Sequence, residues 1–195
     1  ARQTGKSTLV RNFARQQGVD LFEINLETML IKTTRTDDIQ YLLTEIESHC
    51  KKSITTNSLV FFDEIQKQPE MFSFLRYLYE KKPGLKVIAA GSLLEFYIEE
   101  MSQDIPVGRI QYLYMGPVTF FESLNATKQK LLLQHLSSYA NGTSKDIHPA
   151  YHEKALDQFA LYLRVGGMPE AVKVFAQSQS LIQVAQSHWP KNQMD

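Results

Sequence analysis

A single cysteine, Cys50, leaves this chain without the means to close an internal disulfide, which excludes a small disulfide-stapled scaffold and fits a reducing compartment. As a lone thiol it reads as an ordinary packed side chain. Charge excess is missing as well: 21 Lys and Arg stand against 21 Asp and Glu, so no net positive field draws the molecule as a whole to nucleic acid or to an anionic membrane. A local patch is compatible with that balance. No apolar run approaches the roughly 18 residues that a membrane-spanning helix needs, and no secretory segment precedes the first motif. Internal repeats, low-complexity stretches and the guanine-reading pattern N-K-x-D are absent too. What remains is 195 residues with 43% hydrophobic content, enough for one packed domain or for one domain and part of another. The expectation is a soluble, cytoplasmic protein.

Along the chain, periodicity alternates between helix and strand. Leu9, Val10, Phe13 and Ala14 recur at helical spacing and Gly18 follows as a stop. Leu21 to Asn25 is a short strand candidate, and Asp37 to His49 an amphipathic helix with Asp at its start. SLVFFDE is the apolar run expected of a strand buried on both faces of a parallel sheet. Pro69 then starts a helix, EMFSFLRYLYEKK, that stops before Pro83 and Gly84. LKVIAAGS reads as a further buried strand, LLEFYIEEMSQ as a helix, and Ile110 to Met115 as the last strand. After Pro117 the pattern is helical only: Asn125 to Tyr139, Tyr151 to Val165 and Pro169 to Ala176. This order predicts an α/β fold, a parallel sheet with helices on both faces followed by a helical segment, with residues 1–122 in the first domain and 123–195 in the second.

The chemistry begins at the first residues, ARQTGKSTLV. The Walker A pattern G-x-x-x-x-G-K-[ST] aims backbone N–H groups at phosphates, its lysine reaches the β and γ phosphates, and its hydroxyl binds Mg²⁺. Thr4, Gly5, Lys6, Ser7 and Thr8 supply the second half of such a loop. Counting back places the first glycine one position before Ala1, so the first strand is expected upstream. By itself GKS also suits a plain helix N-terminus with Ser7 near the cap. The second signal is Leu59 to Phe62 running directly into Asp63 and Glu64, the form of a Walker B strand. Acidic residues at such a strand's end reach the crevice at the carboxyl edge of the sheet, where the phosphate loop lies. Asp63 is the candidate Mg²⁺ ligand with Ser7, and Glu64 the candidate general base for an attacking water. Taken alone, paired acids there would simply face solvent; together with GKS they point to nucleotide. Ser92, at the tip of a third strand, is the candidate γ-phosphate sensor, or else a cap for the helix that follows.

RQTGKSTL, FFDEIQKQP, AAGS, VGRIQYLYMGPVTFFE and YLRVGGMPEAV occur in that order over most of the chain. In these blocks the sequence resembles the AAA+ type ATPases of bacteria and archaea in which a P-loop domain precedes a C-terminal domain of unknown function. The resemblance implies a five-stranded core, ATP and Mg²⁺ as ligands, and hydrolysis coupled to a conformational output. Pro117-Val118-Thr119 stands where that family has proline-leucine-serine. The resemblance also implies that the first strand lies before Ala1 and most of the C-terminal domain after Asp195.

Arg109, just before the last strand candidate, is placed to neutralise transition-state charge in its own or a neighbouring site, or to make a structural ion pair. Arg164 is the candidate second sensor, with a solvated helix arginine as the alternative. Gly166, Gly167 and Pro169 read as a turn and a helix start. His148 and His152 lack the Glu of a zinc helix, and His49-Cys50 lacks a second ligand pair, so no zinc site is expected. Lys51, Lys52, Lys81 and Lys82 read as solvated helix ends. Phe120, Phe121, Tyr112 and Tyr114 read as core rather than as a base-stacking platform.

The function expected is a Mg²⁺-dependent ATPase that moves its sheet domain against the helices. The alternative is an ATP-dependent switch that hydrolyses slowly and recruits a protein or DNA partner, with a homo-oligomer admitted by either. A metabolic kinase fits the acidic pair and Gly91-Ser92 less well. Residues 1–195 by themselves are expected to bind ATP weakly, because a phosphate loop without its feeding strand is unsupported.

Overall fold

The computed structural model describes residues 4–31, 38–92, 94 and 110–188. They divide into two compact units, Thr4–Tyr114 and the residues from Met115 onward. The first is an α/β unit. Helix α1 (Lys6–Gln17) leads to strand β1 (Asp20–Asn25), helix α2 (Ile39–Cys50), strand β2 (Ser58–Asp63), helix α3 (Met71–Lys81) and strand β3 (Lys86–Ala89). The three strands form one parallel sheet in the order β1-β2-β3, with Asn25 level with Asp63 and Phe62 level with Ala89.

β2 lies in the middle and every one of its residues is buried. Its alternate side chains serve opposite faces of the sheet, as the period of two in a strand demands. Val60 and Phe62 join Phe22 and Ile24 of β1 under α2 and α3, through Leu42, Ile46, Phe74 and Leu78. Leu59 and Phe61 meet Val10 and Ala14 of α1 on the other face. Helices therefore cover both faces of the sheet, as the unbroken apolar run of SLVFFD implies.

The helix ends follow local chemistry. Gly18 closes α1 at φ 61, and Asp38 caps α2 by accepting the Tyr41 N–H at 2.9 Å. Arg11 of α1 grips Glu23 of β1 with its Nη2 at 2.6 Å and its Nε at 2.9 Å, tying the first helix to the outer strand. Lys52 is exposed just past the end of α2, as the solvated reading expects, and it makes contacts besides. Its Nζ donates to the Leu21 carbonyl at 2.7 Å and lies 4.4 Å from the centre of the Phe22 ring, so the charge packs on β1. Burial pushes the neighbouring Cys50 thiol up, with Lys52 opposing only in part, which keeps it a protonated packing group near neutral pH.

Ile110 to Met115 is a correction, because these residues form no strand. A strand exists only where a neighbour completes its ladder, and none of these residues pairs with β1, β2 or β3 among the described residues. Their side chains are correspondingly open: Tyr112 is 46% exposed and Tyr114 79%, so neither is the core residue its composition suggested. The helix expected after Ser92 lies outside the described residues except for Leu94.

The second unit is helical throughout: α4 (Phe120–Ala126), α5 (Lys130–Ala140), α6 (Pro149–Val165), α7 (Pro169–Ser178) and α8 (Leu181–His188). Asn125 to Tyr139 is not one helix, since Lys128 at φ 61 breaks it between α4 and α5. α4 starts earlier than periodicity shows, at a reciprocal cap. Thr119 accepts the Glu122 N–H, while the Glu122 carboxylate accepts the Thr119 N–H at 2.7 Å and its hydroxyl at 2.8 Å. Pro149 opens α6 behind His148, whose Nδ1 accepts the Ala150 N–H at 3.3 Å. Gly167 is pressed against the strap before α4: its carbonyl accepts the Val118 N–H at 2.8 Å, and an added Cβ would lie 2.7 Å from the Val118 oxygen. Ala171, Phe175 and Val184 bury the contact between α7 and α8.

The cap makes a testable acid dependence. Glu122 is held below the ordinary carboxylate value of 4.5 by the Thr119 backbone N–H first and the Thr119 hydroxyl second. A depressed folded-state pKa contributes stability above the unfolded value and loses it as pH falls through the folded one. Urea denaturation should therefore show a stability loss below pH 4.5 that is smaller in Glu122→Gln. At neutral pH, Thr119→Ala should lower stability by about 1 kcal/mol; an unchanged urea midpoint would show that the cap contributes nothing.

Candidate functional site

All three strands run parallel, so Asn25, Asp63 and Ala89 end at one edge of the sheet. That edge gathers the sequence-predicted residues of the first unit. α1 opens at Gly5, whose φ of 86 lies in the left-handed region that glycine enters without strain, and its carbonyl accepts the Leu9 N–H at 2.9 Å. No side chain caps this N-terminus among the described residues, and no acidic residue lies in its first turn. The partial positive charge of an uncapped helix opening is of the kind that suits an anion. Thr4 before it is buried, Lys6 and Ser7 are half-buried, and Thr8 is exposed.

The loop and β2 meet at one short contact. Ser7 Oγ donates to Asp63 Oδ2 at 2.6 Å, across 56 positions of sequence. Asp63, only 8% exposed, receives a second bond at Oδ1 from the Glu64 N–H at 3.1 Å. A hydroxyl and a carboxylate in contact are hard oxygen donors of the kind Mg²⁺ takes alongside substrate phosphates, so the pair fits that ion. Among the described residues no cluster of three or more His, Cys, Asp or Glu gathers to form an all-protein metal cage.

After Asp63 the chain turns sharply. Glu64 has φ 54 and ψ 45, a left-handed conformation that costs a residue with a side chain of the order of 1–3 kcal/mol. The Ile65 N–H then bonds the Ala90 carbonyl at 3.0 Å, locking the turn to the segment that follows β3. The strained turn brings Glu64 beside Ser92. Ser92 Oγ, on a residue 4% exposed, lies 3.4 Å from Glu64 Oε2.

Two glutamines of the same turn escape any reading of periodicity. Gln68, buried, fixes the loop after β1: its Nε2 donates to the Leu26 and Met29 carbonyls and its Oε1 accepts the Ile31 N–H at 3.1 Å. Gln66, equally buried, donates through Nε2 to Glu64 Oε2 and to Ser92 Oγ. Both stand in the block FFDEIQKQP that carries the family resemblance, but nothing in their spacing assigns either a role. Arg109 lies outside the described residues. Arg164 is exposed on α6 in the helical unit, and His152 lines an open apolar cavity of about 510 Å³ there.

No helix among the described residues is long and apolar enough to cross a membrane. Comparison with known proteins finds one family match: residues 1–124 match the family described as AAA domain. Comparisons with curated proteins and with solved structures find no match.

Proposed function

Because the chain belongs to the AAA domain family, we propose that it binds ATP with Mg²⁺ at the carboxyl edge of the sheet and hydrolyses it to ADP and phosphate. The contact between Ser7 and Asp63 carries this reading. It joins the helix opening that suits phosphate to the strand end that suits a metal. In this reading the N–H groups of Gly5 to Thr8 cradle the phosphates, and Lys6 neutralises charge on their β and γ groups. Ser7 and Asp63 hold the ion, which when bound offsets phosphate charge. Glu64 orients a water and takes its proton as the oxygen attacks the γ phosphorus; ADP departs with the electron pair of the broken P–O bond. Ser92 senses the γ-phosphate from the tip of the third strand, and Arg109 supplies positive charge to the transition state. The output is motion of the nucleotide-binding unit relative to the helices.

The binding half of the proposal rests on Lys6. A charge-assisted bond contributes about 1.5–3 kcal/mol, so Lys6→Ala in the full chain should raise the Kd for ATP with Mg²⁺ by about 10- to 100-fold. Calorimetry checks it. An unchanged Kd would remove the phosphate-loop reading.

A further inference from the structure

We propose that Gln66 is a positioning residue for hydrolysis, holding the Glu64 carboxylate and the Ser92 hydroxyl in one fixed arrangement. The proposal rests on the reading of Glu64 as general base. Three observations support it independently of that reading.

The first is where Gln66 spends its hydrogen bonds. It sits on the single 3₁₀ turn Ile65–Lys67 directly after β2, 8% exposed. Its Nε2 donates to Glu64 Oε2 and, at 3.3 Å, to Ser92 Oγ, and Ser92 Oγ is in turn 3.4 Å from the same carboxylate oxygen. Three side chains close a triangle. Gln68, two residues on and as deeply buried, bonds only backbone groups, which is what a glutamine does when it merely fixes a loop. Among the described residues, the Gln66 side chain bonds only the two side chains with candidate roles in the reaction.

The second is that this arrangement is costly to fold. Gln66 Oε1 is buried with no hydrogen-bond partner among the described residues, a penalty that an apolar side chain of the same size would avoid.

The third is the space made for it. A Cβ added at Gly91 would lie 2.1 Å from Gln66 Oε1, much closer than its other near neighbour, Leu94 Cδ2 at 2.9 Å, so glycine next to Ser92 is what permits the amide to stand where it does. The glycine of the strand tip thus has a steric task distinct from any backbone conformation.

The chemical consequence is directional. A neutral amide neither takes nor supplies a proton near neutral pH, so Gln66 has no part in bond making. It ties Glu64 Oε2, and the other oxygen, Oε1, takes no hydrogen bond among the described residues. Oε1 is the oxygen left to meet a water. Holding one carboxylate oxygen fixes where the other points, and geometric errors of about 1 Å in such a group cost up to about 10²-fold in rate.

The test measures kcat, KM and the Kd for ATP with Mg²⁺ on the full chain for six proteins: wild type, Glu64→Gln, Gln66→Met, Gln66→Ala, Gly91→Ala and the Gly91→Ala, Gln66→Ala double variant. Gln66→Met should lower kcat about 10- to 100-fold while KM and Kd stay within about twofold. Gln66→Ala should do the same, and it creates room beside Gly91. Gly91→Ala should therefore lower kcat in the wild-type background and lower it less in the Gln66→Ala background, where the contact with Leu94 Cδ2 remains. An unaltered kcat in Gln66→Met, or a parallel loss of nucleotide affinity and thermal stability, would overturn the proposal while leaving Glu64 in place. Additive losses in the Gly91 and Gln66 double variant would also overturn it. Turnover indifferent to Glu64→Gln would overturn both the base assignment and the inference built on it.

Discussion

Glu64→Gln should abolish steady-state ATP hydrolysis, lowering turnover by about 10²- to 10⁴-fold, while the Kd for ATP with Mg²⁺ changes by less than about threefold. The amide keeps the size of the carboxylate and its place beside Gln66 and Ser92. It has no basic oxygen to take a proton from water. The asymmetry between binding and turnover follows from role: in the proposed site the opening of α1 and Asp63 hold the phosphates and the ion, whereas Glu64, beside Ser92, acts on the attacking water. Phosphate release and calorimetry on the full chain measure the two quantities separately. Wild-type turnover no faster than that of Glu64→Gln would remove the enzymatic reading and leave a nucleotide-dependent switch that recruits a partner. Phosphate transferred to an added small molecule, rather than to water, would point instead to a kinase.

Phe62→Ala should lower the stability of the nucleotide-binding unit by about 3 to 5 kcal/mol. Phe62 is fully buried at the end of a strand with neighbours on both sides, within the larger of the two clusters that flank the sheet. Its removal leaves a void among Phe22, Ile24 and the two helices that pack there. Domains of this size are stable by only about 5–15 kcal/mol, so the variant should unfold at a much lower urea concentration and lose nucleotide affinity with it, because Asp63 is the next residue in the chain. Urea titration followed by far-UV circular dichroism reads the shift. A loss below about 1 kcal/mol would mean that this end of β2 is not the packed support the site stands on.

Much of this architecture is legible in one dimension because the signals are local. Gly5 before Lys6 announces a helix opening; Gly18 announces its end; Pro149 and Pro169 mark helix starts, and each does so through its own backbone. SLVFFD reads as a doubly covered strand because six apolar or terminal residues without alternation suit nothing on a solvent-facing sheet. The readings that fail are those needing a partner from elsewhere. Ile110 to Met115 has the composition of a strand but forms none, since a ladder belongs to two segments and composition describes one. Lys128 breaks a helix that apolar spacing alone would carry through.

The candidate site divides the same way. Amino-acid order by itself determines which chemical groups are present and which end of which element carries them: a Gly-Lys-Ser helix opening, an acidic pair after a buried strand, a serine after a shorter one. Each depends on bonds and torsions within a few residues. Only the tertiary structure decides that Ser7 touches Asp63, that Glu64 turns through a left-handed conformation toward Ser92, and that Gln66 stands between them in space vacated by Gly91. Those are distances across dozens of residues, set by the register of three parallel strands, and no pattern along the chain encodes a register.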